Sequence, residues 1–86
     1  ISTIGVEEIK LNEIHLYPNP TSNAFQLRGI NDNVLISCYN PIGKLLLTKI
    51  VNNESIVDVT NWSKGMYMIS IQKDNNTYLE KLIITE

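Results

Sequence analysis

One cysteine, Cys38, and one histidine, His15, in 86 residues leave no intrachain disulfide and no Cys/His metal cluster. No apolar run approaches the roughly 18 residues of a membrane-spanning helix, and no charged-then-apolar leader opens the chain. A basic surplus is also missing. Seven basic against nine acidic residues give a net charge of −2, where a nucleic-acid module would carry an excess of Lys and Arg for the phosphates. A chain of this length buries only about 60–65% of its unfolded surface, so it holds one modest core and no second domain. The hydrophobic content of 43% is that of a folded domain rather than a disordered one. The first residue is Ile1 and not Met, as expected of a fragment or processed product.

Asparagine is abundant. Eleven are present, nearly all between apolar runs, where they act with Gly and Pro as punctuation. Turn chemistry falls at Pro18-Asn19-Pro20 and over 29–33, 40–44, 52–54, 61–65 and 74–76. Asn and Gly tolerate the left-handed backbone region, and Pro presets φ. The runs between these turns alternate with period two: Val34, Ile36 and Cys38 against Leu35, Ser37 and Tyr39, or Tyr67, Ile69 and Ile71 against Met68, Ser70 and Gln72. This is the pattern of half-buried strands. Strands are therefore predicted over 14–17, 24–28, 34–39, 44–51, 55–59, 65–73 and 77–85, with no long helix. Seven short strands at this spacing pack most economically as two antiparallel sheets face to face. Residues 1–13 read as a linker, and residues 14–86 as the β-sandwich domain.

Catalytic chemistry is hard to assemble from these residues. A general base needs a nucleophile and an orienting acid converging on it, and His15, between Ile14 and Leu16, reads as a strand residue. Cys38 shares the face of Val34 and Ile36 and reads as a small core hydrophobe. The one tight acidic pair, Glu7-Glu8, lies in the linker, and the four glycines are too scattered to cradle a phosphate. No cofactor or metal is expected. Trp62 reads as an apolar plug between the sheets.

Several short motifs carry more information in their order than singly. Leu16-Tyr17-Pro18-Asn19-Pro20 opens the compact unit. An alternating strand leads to Asn40-Pro41-Ile42-Gly43-Lys44 and a second apolar run. Val57-Asp58-Val59-Thr60 precedes Trp62 and Gly65-Met66-Tyr67, and the last strand reads Glu80-Lys81-Leu82-Ile83-Ile84. In this order and spacing, from about residue 14 to residue 86, the chain resembles the C-terminal sorting domain (type A) of bacterial type IX secretion cargo. The residues that carry the resemblance are Tyr17, Pro18, Asn19, Pro20, Gly43, Lys44, Gly65, Tyr67, Lys81, Leu82 and Ile83. Asn40 stands where the family favours Asp, Pro41 follows it, and Trp62 occupies a position that is often Leu.

The resemblance implies an immunoglobulin-like sandwich that acts as a delivery address. An N-terminal cargo protein would pass through the periplasm and be carried across the outer membrane by a translocon and its shuttle proteins. A sortase-like protease would then remove the domain and attach the cargo to the cell surface, the cleavage region lying within residues 1–13.

Each motif also has a structural job. Pro18 and Pro20 end a strand and blunt its edge. Gly43 supplies a positive φ in a hairpin, and Gly65 lets the chain enter the strand that buries Tyr67. Alternation places Leu46, Thr48 and Ile50, then Tyr67, Ile69 and Ile71, then Tyr78, Glu80, Leu82 and Ile84 on the core side. Leu45, Leu47, Met66, Met68, Leu79 and Ile83 fall opposite, and a sandwich this small cannot bury both faces. These six form a candidate docking patch, reached by its face or by addition of a strand to the C-terminal edge. Two other roles compete. A fibronectin-like accessory module gripping polysaccharide or peptide would need Tyr17, Tyr39, Trp62 and Tyr78 exposed in a row. A structural spacer would show weak self-association through a strand edge.

Overall fold

The computed structural model describes residues 14–85; the linker and cleavage region assigned to residues 1–13 lie outside the described residues. Seven strands follow the turn punctuation: β1 His15–Tyr17, β2 Ala24–Arg28, β3 Val34–Tyr39, β4 Leu45–Val51, β5 Val57–Asp58, β6 Gly65–Lys73 and β7 Asn76–Ile84. They form a three-stranded sheet in the order β1-β2-β5 and a four-stranded sheet in the order β4-β3-β6-β7. Every pairing between strands is antiparallel. Strands 1, 2 and 5 face strands 4, 3, 6 and 7, the strand order of an immunoglobulin-like sandwich whose fourth strand has joined the second sheet.

The core is built by alternation. Phe25 and Leu27 point inward from β2. Val34, Ile36 and Cys38 do so from β3, Tyr67, Ile69 and Ile71 from β6, and Leu82 and Ile84 from β7; all are buried. Trp62 stacks on Tyr67 with ring centroids 5.1 Å apart, and the Tyr67 hydroxyl donates to the Ser63 carbonyl. The aromatic pair thus plugs the end of the sandwich where the chain crosses from β5 to β6. The Asp58 carboxylate caps the start of the same crossing, accepting from the Thr60 N–H at 2.9 Å and lying 2.6 Å from the Thr60 hydroxyl. These two hydrogen bonds hold its pKa below the ordinary carboxylate value.

β4 corrects the sequence reading. Val34 pairs with Val51, Ile36 with Lys49 and Cys38 with Leu47, and directly paired residues share a face. The core side of β4 therefore carries Leu47, Lys49 and Val51, not Leu46, Thr48 and Ile50. Val51 is buried and Leu47 packs on the core, whereas Ile50 is 65% exposed. Leu47 accordingly leaves the proposed docking face. The register breaks between Cys38 and Tyr39, where Cys38 meets Leu47 but Tyr39 meets Leu45. This bulge inverts the parity that alternation alone assigns.

Candidate functional site

The motif residues from the two ends of the chain come together. After β1 the chain passes through Pro18-Asn19-Pro20, with cis bonds before both prolines, and lies along the outer edge of β7. The Asn19 side-chain amide donates to the Lys81 carbonyl at 2.8 Å, and its oxygen accepts from the Ile83 N–H at 3.0 Å. Thr21 continues the ladder: its N–H donates to the Ile83 carbonyl at 2.9 Å, and its carbonyl accepts from the Thr85 N–H at 2.8 Å. The Thr21 hydroxyl in turn donates to the Ala24 carbonyl at 2.7 Å, fixing the entry to β2. Proline cannot extend a sheet itself, but here it frames an asparagine whose carboxamide imitates a backbone donor and acceptor. The segment is a strap over the second half of the β7 edge, so that stretch of backbone is already paired and cannot accept an added strand.

The turn that holds Gly43 and the start of β6 at Gly65 meet through Pro41. Gly43 has φ +87° in the β3–β4 turn. Asn40 organises that turn, its side-chain oxygen accepting from the N–H groups of Ile42 at 3.1 Å and Lys44 at 2.8 Å. Asn therefore performs the turn-forming job for which the family favours Asp. Gly65 has φ +150°, and a Cβ placed there would stand 3.3 Å from the Pro41 ring. Pro41, a departure from the family pattern, is thus seated against the residue that starts β6.

The outward face of the four-stranded sheet presents the remaining candidates in register. Leu45 pairs with Tyr39, Tyr39 with Met68, Met68 with Lys81 and Met66 with Ile83. One step up, Thr48, Ser37, Ser70 and Leu79 form a more polar row ending in an exposed leucine. Of the six predicted patch residues, Leu45, Met66, Met68, Leu79 and Ile83 share this face. Leu45 and Met66 are about half exposed, and Leu79 is 62% exposed. Leu35, Tyr39 and Ile50 belong to the same face but fell outside the predicted set. Lys81 is the only charged residue on the face.

The aromatic side chains do not form an exposed row. Tyr67 and Phe25 are buried, and Tyr17, Tyr39, Trp62 and Tyr78 are each half-buried at separate places. The Arg28 guanidinium lies 4.0 Å above the Tyr17 ring, Trp62 is stacked on Tyr67, and Tyr78 packs on the core. A hollow of about 280 Å³ beside the strap is lined by Pro18, Thr21, Asn23, Ala24, Phe25, Gln26 and Ile56, without an ionisable side chain.

The family described as "Secretion system C-terminal sorting domain" matches residues 15–85, which takes in every strand and both halves of the strap contact. The chain belongs to that family. The sorting domain is a type IX secretion signal, which places the protein that bears it among secreted or cell-surface proteins. It is also similar to an ulvan lyase of Nonlabens ulvanivorans, with 33% identity over 87 residues. The alignment takes in 96% of this chain and 16% of that protein, so the chain spans only a small part of the relative's length. In that relative the matching stretch is one part of a larger protein.

Proposed function

We propose that this domain directs an N-terminal cargo through the periplasm to the type IX translocon, and that the outward face of the four-stranded sheet is what the translocon or its shuttle reads. The observation that carries the reading is the face itself. Leu45, Tyr39 and Met68 run in register across β4, β3 and β6, and Met66 pairs with Ile83 at the end held by the strap. Leu45 and Met66 are about half exposed, and an apolar surface of this kind fits protein docking. Face docking is preferred to strand addition because the strap already pairs the second half of the β7 edge. After translocation a sortase-like protease would act within residues 1–13 and transfer the cargo to the cell surface. The domain is not catalytic in this reading, and the name ulvan lyase describes the larger relative, not this module. The scattered half-buried aromatics speak against the accessory-module alternative.

The test is a fusion of residues 1–86 to an inert periplasmic reporter in a host with the translocon. Surface delivery should be lost on deleting residues 81–86. It should also be lost in the Leu79→Ser, Ile83→Ser double variant while the domain stays folded. Delivery unaffected by both changes would remove the face from consideration.

A further inference from the structure

The most exposed large hydrophobe among the described residues lies outside the predicted patch. Ile42 is 86% exposed at the tip of the β3–β4 turn. A turn tip needs no isoleucine, and this side chain adds nothing to the core. The turn nevertheless holds it firmly. Besides the two bonds to the Asn40 side chain, the Gly43 N–H donates to the Asn40 carbonyl at 2.8 Å and the Asn40 N–H to the Lys44 carbonyl at 2.9 Å. The neighbouring Pro41 ring rests against Gly65, which ties the turn to the start of β6. A β-branched side chain on a fixed turn loses little freedom on docking, so its burial is available as binding energy.

The surroundings define the partner. Leu45 follows the turn directly in sequence and, with Met66, is about half exposed at the end of the sheet face where Tyr39, Met68 and Ile83 also lie. Lys44 on the turn and Lys81 on the face are exposed, and no acidic residue lies on the outward face of the sheet. Positive charge bordering an apolar anchor asks for the opposite charge across an interface.

We infer that Ile42 is the anchor of the docking end, inserted into an apolar pocket of a protein partner whose rim carries carboxylates facing Lys44 and Lys81. This rests on the sorting reading and adds to it the residue and the chemistry of recognition. Anchors of this kind dominate interface energetics, so Ile42→Ser should slow reporter delivery about tenfold or more, while Ile42→Leu restores it. Ile42→Asp should be slower than Ile42→Lys, because only the former sets like charges together. Lys44→Glu combined with Lys81→Glu should slow delivery more than the matching pair of alanines. The thermal midpoints of the Ile42 variants should match the parent, since the side chain is outside the core.

A parent fusion retained in the periplasm would overturn the sorting reading and this inference with it. A delivered parent with Ile42→Ser and Ile42→Asp delivered equally fast would overturn the inference alone. So would equal delivery of the Asp and Lys variants, which would remove the acidic rim. Ile42-dependent binding of the purified chain to phosphatidylglycerol vesicles, with no effect of Ile42 on delivery, would assign the tip to a lipid surface and also overturn it.

Discussion

The carboxamide of Asn19 bridges Lys81 and Ile83 across more than sixty residues of sequence, donating to the carbonyl of one and accepting from the N–H of the other. It replaces one rung of a β-ladder with a side chain. Loss of two such hydrogen bonds at a partly solvated edge should cost about 1–3 kcal/mol. For a domain of this size that is a fall in thermal midpoint of roughly 5–15 °C. Asn19→Ala should show it.

Asn19→Asp sharpens the test. The carboxylate keeps the acceptor for Ile83 but turns a second oxygen toward the Lys81 carbonyl, so at neutral pH it should be no better than alanine. The facing carbonyl raises the folded-state pKa of that carboxyl, so the stability tied to its protonated, donating form is present at low pH and lost as pH rises. Thermal unfolding from pH 3 to 7 should therefore show the gap to wild type narrowing toward acid. A wild-type midpoint for Asn19→Ala would show that the strap is held by Thr21 alone.

The two motif glycines should respond unequally to alanine. Gly43 sits at φ +87° with open space where a Cβ would go, so Gly43→Ala carries only the backbone cost of about 1–2 kcal/mol. Gly65 has φ +150° and the Pro41 ring 3.3 Å from the added Cβ, so a steric cost adds to the strain. Gly65→Ala should be the more destabilising in urea unfolding. Adding Pro41→Ala should recover part of the Gly65→Ala loss and none of the Gly43→Ala loss, a coupling that a double-mutant cycle measures. Equal effects of the two glycines would remove Pro41 from the account.

The strands were legible because each lies between turns with a mechanism: Asn40 with Gly43, Gly29, and Asp74, which adopts φ 56° in the β6–β7 hairpin. Faces were legible wherever alternation was clean, as in Val34, Ile36 and Cys38. They failed at Leu45-Leu46-Leu47, where three leucines erase the period of two and the bulge opposite Cys38 and Tyr39 shifts parity. The motifs at Pro18-Asn19-Pro20 and Lys81-Leu82-Ile83 could be read singly, but their contact is made by one carboxamide at a separation no local pattern reports. Ile42 does not stand out in the sequence because a residue inside turn chemistry reads as filler; only its exposure sets it apart.

Cys38 gives a pH signature. Its side chain is fully buried, and loss of hydration pushes the thiol from 9.0 up to about 12. The folded state holds this proton longer than the unfolded state does. The stabilisation is complete below pH 9 and drains away as pH rises from 9 toward 12. Comparing urea unfolding of the parent with Cys38→Val at pH 7 and again above pH 10 isolates this thiol from the tyrosines, which titrate in both proteins. The parent should lose more stability at high pH than the variant, and its thiol should resist alkylation until denaturant is added. Parallel alkaline losses would mean that Cys38 does not titrate late.

Both edges of the four-stranded sheet place a charge on the core-facing side of the strand. Lys49 of β4 pairs with Ile36, and Glu80 of β7 pairs with Ile69, the two partners being core residues. A second sheet adding to either edge would have to bury that charge, one of the ways natural sheets avoid growing. The strap protects half of the β7 edge, whereas Lys49 is the main guard of β4, whose outer edge pairs with no other strand among the described residues. Lys49→Val should leave the fold intact and gain about 0.2–1 kcal/mol from the apolar cross-strand pair. It should also self-associate as concentration rises in sedimentation velocity, while the parent stays monomeric under the same conditions. Lys49→Arg, which keeps the charge, should behave as the parent. A Lys49→Val variant that remained monomeric throughout would mean that the twist and bulge of β4, not its inward lysine, keep the edge closed.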